Sequence, residues 1–168
     1  MDMTSHVMRG RGRTVSPWLG LAGFGAAVAV AALLGGLGVA GTASEYQGLE
    51  QPAWAPPSAV FGPVWTVLYV MIAVSGWLVW RRTGWSPALN WYAVQLVLNA
   101  IWTPIFFGFG QYGLALVDIV ILWVSIGVTV WKFRPVSKTA AGLLLPYWAW
   151  VTFATALNAA IWLMNHQI

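Results

Sequence analysis

The side chains able to do chemistry are few in this chain, and their positions limit what that chemistry is. Both histidines, His6 and His166, lie near the termini, so no imidazole falls inside the long apolar segments between them. That argues against a histidine-ligated haem or metal in the interior. There is no cysteine, hence no thiolate ligand, no thiol nucleophile and no disulfide. Asp118 is the single ionisable side chain within an otherwise apolar stretch, with no second carboxylate placed for paired acid–base work. No phosphate-binding glycine loop is present. What is abundant is tryptophan, 13 in 168 residues. The chemistry left is recognition rather than metal or acid–base catalysis. An aromatic-walled, sparsely polar cavity suits a large, flat, apolar ligand held by ring stacking. No metal site is expected, and no cofactor is required.

The elements that must position these residues are membrane helices. The chain is 60% hydrophobic and 7% charged, whereas soluble domains carry roughly 25% charged residues. Such a chain cannot solvate its own surface in water, and its apolar content excludes disorder. Four charge-free runs, Thr14–Ser44, Gln51–Trp80, Thr83–Val117 and Thr139–Ile168, each exceed the about 20 residues needed to cross a bilayer as helix. Ile119–Trp131 makes a fifth if it extends back through Leu114–Val117 and Asp118 is tolerated. None alternates polar and apolar as barrel strands do. The expectation is an all-α membrane protein, a five-transmembrane-helix bundle with helices near 18–43, 58–80, 88–107, 112–132 and 139–164. Pro17, Pro56-Pro57 and Pro87 suit helix starts. Gly108-Phe109-Gly110 and Arg134-Pro135 break the chain between helices, while Pro104 and Pro146 interrupt helices three and five. Ser44–Pro57 is the long loop and holds a small structured element. Residues 1–17 read as a basic, disordered extension, and 18–166 as one domain.

Charge placement explains the net charge of +4 without nucleic acid. With five spans, Arg9, Arg11, Arg13, Arg81, Arg82, Lys132, Arg134 and Lys138 all fall on one side, and Glu45 and Glu50 on the other. By the positive-inside rule the N-terminus is cytoplasmic and the C-terminus outside, as in a bacterial inner membrane. The arginine-rich start followed by Ala40-Gly41-Thr42-Ala43 has features of a cleaved signal peptide. The apolar stretch, however, exceeds the about 7–15 residues of such a leader.

Depth separates two kinds of tryptophan. Trp18, Trp77, Trp80, Trp85, Trp91, Trp131 and Trp162 lie near helix ends, where indoles anchor to the interface. Trp65, Trp102, Trp123 and Trp150 lie deeper, and a buried indole N–H there needs a polar partner inside the bundle. Asn99, Asp118 and Asn158 sit roughly 9–12 Å below the outer boundary at 1.5 Å per residue. Gln111, Asp118, Ser125 and Thr129 share one face of helix four. This polar layer either lines a cavity or holds the helices together by hydrogen bonds, and Asp118 fits the second role. Gly23, Ala27, Ala31 and Gly35 place small residues along helix one, for an intrachain contact or a dimer.

Particular strings now resemble a known family. Pro52-Ala53-Trp54-Ala55-Pro56-Pro57 followed by Phe61-Gly62-Pro63-Val64-Trp65-Thr66-Val67-Leu68-Tyr69 resembles P-x-W-x-P-P…F-x-P-V-W-T-x-L-Y. Gln95 through Gly108 resembles Q-L-x-x-N-x-x-W-T-P-x-F-F-G, and Asp118, Leu145-Pro146-Tyr147-Trp148-Ala149-Trp150 and Thr155-Ala156-Leu157-Asn158 also fit. Three motifs in order, spanning about residues 18–164, are similar to the TspO/translocator-protein family, the tryptophan-rich sensory proteins also called peripheral-type benzodiazepine receptors. The resemblance implies a homodimeric five-helix bundle that binds porphyrins such as protoporphyrin IX. It also implies binding of benzodiazepine-type ligands and a role in tetrapyrrole or stress regulation. It implies Trp65 and Trp150 as the tryptophans tied to porphyrin binding and, where light-dependent degradation occurs, to catalysis. It places Asn99, Trp102, Tyr147 and Asn158 on the pocket wall and Trp54 over its mouth. The alternatives to a receptor are a light-dependent protoporphyrin-degrading enzyme and a porphyrin transporter. No inverted repeat supports transport. The sterol-recognition string of animal members is missing, since Leu157–Ile168 contains no Tyr, Lys or Arg.

Overall fold

The computed structural model describes residues 16–39 and 43–165. Residues 1–15, expected to be a disordered extension, lie outside the described residues, as do 40–42 within the signal-peptide-like string. Every regular element among the described residues is helical: α1 Pro17–Val39, α2 Ala43–Gly48, a 3-10 turn Ser58–Val60, α3 Phe61–Thr83, α4 Pro87–Thr103, a π turn Pro104–Gly108, α5 Tyr112–Phe133, α6 Lys138–Leu143 and α7 Leu145–Met164. Among the described residues four stretches are long and apolar enough to cross a membrane, Pro17–Gly36, Ser58–Thr83, Tyr112–Phe133 and Lys138–Met164. Helix α4 has 17 residues and runs on into the five-residue π turn.

The prolines account for the departures from regular helix. Pro104 has no N–H to give the preceding turn, and the chain widens there into i→i+5 bonding, with Phe109 N–H donating to Pro104 O at 2.9 Å. The wider turn puts Phe106 in the core and Phe107 beside it. Pro146 lies in the first turn of α7, just past a break at Leu144. The last helix expected from sequence is therefore two, α6 and α7. The small element expected between Ser44 and Pro57 is represented by α2, which begins at Ala43.

Helix α1 packs on α3 and α4, α5 packs on α4 and α7, and α6 sits against α3. The close contact of α1 is not made by the stripe expected. Ala31 and Gly35 are buried, but Gly23 and Ala27 point outward. The inward face uses Gly20, Phe24 and Val28 instead, because the Trp80 ring lies directly over Gly20. At 100° per residue the inward positions 20, 24, 28, 31 and 35 keep to one face by mixing steps of four and three, and a strict four-residue repeat back from Gly35 leaves that face at Ala27 and Gly23.

The two ends of the bundle differ in charge. Pro17 O accepts from Trp77 Nε1 at 2.9 Å, and Arg82 donates to Val136 O. The start of α1, the end of α3 and the α5–α6 turn thus share one end, with Arg81, Arg82, Lys132, Arg134 and Lys138. At the opposite end Asn165 clamps the long loop, accepting from Glu50 N at 3.1 Å and donating to Glu50 O at 2.9 Å.

Candidate functional site

A half-open cavity of about 650 Å³ lies between α1, α3 and α4, with α2 and the 3-10 turn at its edge. The size falls within the ~300–1,000 Å³ of small-molecule sites. Its walls are built by distinct parts of the sequence. Ala32, Gly35 and Gly36 of α1 leave space by lacking bulk. Trp65, Thr66 and Tyr69 project from α3, and Trp102, Thr103 and Phe107 from α4 and the π turn. Trp65 stacks on Tyr69 at 5.2 Å and 29°, and meets Tyr147 edge-on at 6.1 Å. Trp102 stacks on Phe106 at 5.2 Å. These contacts fix the planes of both indoles, and Trp102 is itself largely buried.

Polar groups on the wall are sparse. Tyr46, from α2, is 5% exposed, and its hydroxyl has no hydrogen-bond partner among the described residues although the ring lines the cavity. Burial pushes this hydroxyl above the ordinary tyrosine value, so it stays protonated and available as a donor. Thr66 spends its hydroxyl on Gly62 O at 2.9 Å.

The asparagines lie behind the wall. Tyr69 OH donates to Asn99 Oδ1 at 3.1 Å, and Asn99 Nδ2 donates to Tyr147 OH at 3.2 Å. Trp102 Nε1 donates to Asn158 Oδ1 at 3.1 Å, and Asn158 Nδ2 to Tyr112 O at 2.8 Å. Asn99 and Asn158 thus cross-link α3, α4, α5 and α7 and fix the orientation of the rings that face the cavity. Tyr147 is fully buried in this second layer. Trp150 reaches the cavity through one intervening ring, Phe61, at 5.9 Å, and its own N–H is buried without a partner. Trp54 is half exposed and packs on Phe153, which in turn packs on Trp150. Of the residues singled out from sequence, Trp65 and Trp102 line the cavity. Asn99, Tyr147, Asn158 and Trp150 back it, and Trp54 lies at the outer surface.

Two expectations about deep polar groups change. Trp123 has a polar partner as expected, the Thr152 hydroxyl at 2.8 Å, but lies at the outer seam of α5 and α7 rather than inside. Ser125 and Thr129 are buried, yet their hydroxyls bond carbonyls of their own helix, Leu122 O at 2.8 Å and Ser125 O at 2.7 Å. They are not on the wall of this cavity. Sequence reasoning missed Tyr46, Phe61, Phe107 and the α1 wall. Phe61, Tyr69 and Phe107 stood in the motif strings, whereas nothing local marks Tyr46.

Two substitutions test this layer. Asn99→Leu strips partners from both Tyr69 and Tyr147, and leaving buried hydroxyls unpaired costs about 1–3 kcal/mol. A detergent thermal melt should fall by several degrees, and an unchanged midpoint would show that the bridge does not form. Asp118 is nearly buried with Oδ2 unpartnered and is absent from the cavity wall. An Asp at mid-helix depth costs about 2.5–3.5 kcal/mol on insertion scales. Asp118→Leu should therefore raise the melting temperature and leave affinity for a cavity ligand within twofold. A lower melting temperature would show that the carboxyl has a stabilising partner.

Helices built to span a bilayer, with an indole-walled cavity between them, define a class: a small polytopic membrane protein. The TspO/MBR family profile matches residues 24–163. The chain belongs to that family. It is 40% identical over 156 residues to the translocator protein of Homo sapiens, covering 89% of this chain and 92% of that one. It is 38% identical over 113 residues to the tryptophan-rich sensory protein of Cereibacter sphaeroides, 67% of this chain and 72% of that one. With the tryptophan-rich protein TspO of Archaeoglobus fulgidus it shares 40% identity over 122 residues, 71% of this chain and 79% of that one.

Proposed function

We propose that this protein is a five-span membrane receptor that binds a porphyrin, protoporphyrin IX or a similar flat tetrapyrrole, in the α1–α3–α4 cavity. The observation that carries the reading is the Trp65 and Trp102 wall around about 650 Å³ of space. A macrocycle laid against those rings gains stacking of about 0.5–1.5 kcal/mol per aromatic pair beyond area burial. The partnerless Tyr46 hydroxyl offers one donor to a carboxylate or ring substituent at the cavity edge. The fifth span is α4 with its π turn, Pro87–Gly108. An odd number of passes is supported by the start of α1 at the basic end and the end of α7 at the Glu50 end. The basic end then faces the cytoplasm across a bacterial inner membrane. The protein works as a homodimer, for which the outward Gly23 and Ala27 of α1 offer a small-residue face. No nucleic acid is involved. No cofactor beyond the porphyrin ligand is needed, and the binding event serves tetrapyrrole or stress regulation.

A second reading, light-dependent breakdown of the bound porphyrin, is favoured by one feature: the oxidisable Trp65 indole forms part of the wall itself. A single experiment separates the two. Purified protein is titrated with metal-free protoporphyrin IX in the dark and then illuminated. Saturable dark binding with a stable absorption band supports a receptor. Loss of the band with a new product, abolished in Trp65→Phe, supports the enzyme. No saturable binding in the dark defeats both.

A further inference from the structure

The basic end of the bundle carries a second concavity, of about 640 Å³, lined by Ala88, Trp131, Lys132, Arg134, Pro135 and Lys138. Half of its lining residues are cations, and no carboxylate is among them. Three like charges around one hollow repel one another unless an anion joins them. The hollow is also held in shape. Val136 N and Ser137 N donate to Phe133 O at 3.0 and 2.7 Å, closing the turn. Ser137 Oγ caps α6 by accepting from Ala140 N at 3.2 Å, and Ser75 Oγ donates to Ala140 O at 2.8 Å from α3. Arg82 donates to Val136 O from the same helix. The cations are therefore presented by a braced turn.

We infer that this concavity binds the phosphate of an anionic glycerophospholipid. Three features choose a lipid over a free anion. The hollow lies at the end of the membrane-length helix α5, at the depth of headgroups. Trp131, one of its walls, is 71% exposed, as an interfacial indole is, and Lys132 Nζ lies 5.4 Å from its ring. From Trp131 an exposed apolar ridge of Val124, Val120 and Val117 runs along α5, giving acyl chains a track away from the phosphate. Basic pockets at the cytoplasmic ends of membrane helices recognise lipid headgroups by this combination of charge and adjoining apolar surface. The inference stands on this end of the bundle alone and does not depend on what occupies the α1–α3–α4 cavity.

The test uses the full chain in a mild detergent, with lipid retention read by native mass spectrometry and stability by thermal melting. Phosphatidylglycerol, phosphatidylcholine and inorganic phosphate are added in parallel. Phosphatidylglycerol should be retained at least tenfold over phosphatidylcholine and should raise the melting temperature, while millimolar phosphate should not displace it. A Lys132→Gln, Arg134→Gln, Lys138→Gln triple variant should lose about a hundredfold in affinity, given the usual contribution of each basic residue near a lipid surface. A control with Arg9, Arg11 and Arg13 changed to Gln loses the same formal charge and should retain the lipid. Equal loss in both variants, equal retention of phosphatidylcholine, or displacement by phosphate would each overturn the inference, the last in favour of a free-anion site. Should the triple variant not fold, the single variants decide, each with an expected loss of about fivefold and the same control.

Discussion

Trp65→Ala should weaken protoporphyrin IX binding by roughly 30- to 100-fold, corresponding to about 2–3 kcal/mol. The ring forms part of the cavity wall and has aromatic neighbours that hold its plane, Tyr69 stacked at 5.2 Å and Tyr147 edge-on at 6.1 Å. Truncation removes one stacking surface and the burial of roughly 60 Å² of apolar area at about 25 cal/mol per Å². It also leaves the cavity wider than a planar ligand fills. Trp65→Phe keeps a ring at the same depth and should cost a few-fold in binding, while removing the indole that light-driven chemistry would need. Trp150→Phe provides the internal comparison, because Phe61 stands between it and the cavity. Its effect on dark binding should be under about threefold, since less than one stacking pair is at stake. The checks are a fluorescence-quenching or absorbance titration and circular dichroism to establish that helicity is retained. Should Trp65→Ala bind within twofold of the parent, the porphyrin lies elsewhere and the cavity assignment fails.

Gly76→Ala should be strongly destabilising. A Cβ there would sit 2.7 Å from Tyr92 Cζ and 2.8 Å from two ring carbons of Phe24. Neither ring is free to yield. Tyr92 is buried, donates through its hydroxyl to Ile72 O at 3.1 Å and stacks on Phe133 at 6.0 Å and 16°. Phe24 meets Tyr92 edge-on at 5.7 Å and packs on Trp80 at 6.3 Å. Overpacking of this kind costs about 1–3 kcal/mol and pushes α1 away from α3. Because Gly35 and Ala32 of the same α1 line the cavity, the displacement should also lower ligand affinity. Gly25→Ala is the control: nothing lies within 4 Å of its added Cβ, and helix propensity favours alanine by about 1 kcal/mol. Melting temperatures that fall for Gly76→Ala and hold or rise for Gly25→Ala would bear out the packing. A neutral Gly76→Ala would mean that α1 does not seat against α3 as described.

Much of the architecture was legible before any coordinates because membrane helices are written in the coarsest terms of a sequence, length and absence of charge. The starts at Pro17 and Pro87 and the breaks at Gly108–Gly110 and Arg134-Pro135 follow from residues with few conformational options. The finer geometry was less legible. The repeat of Gly23, Ala27, Ala31 and Gly35 marks small residues but not which side of α1 meets α3; that depends on Trp80 and Phe24 finding room. The polar stripe on α5 left a cavity lining and interhelical hydrogen bonds equally open, because spacing records only direction around a helix. Spacing is silent on whether a hydroxyl such as that of Thr129 turns back to its own backbone. Trp123 was expected inside because depth in the membrane says nothing about which way a ring faces.

The sequence by itself determined the medium the chain lives in, the helical class and the family, and its resemblance gathered Trp65, Trp102 and Trp150 with Asn99, Tyr147 and Asn158 about one pocket. These rest on composition and on local strings, whose meaning does not change with the packing. Only the tertiary structure decided that Asn99 and Asn158 brace the wall from behind and that Trp150 stands one ring back. It alone brought the Tyr46 hydroxyl from the loop to the cavity edge without a partner. Those facts depend on side-chain orientation between helices distant in the chain. A hydrogen bond or an empty volume exists only once several segments have been placed against one another.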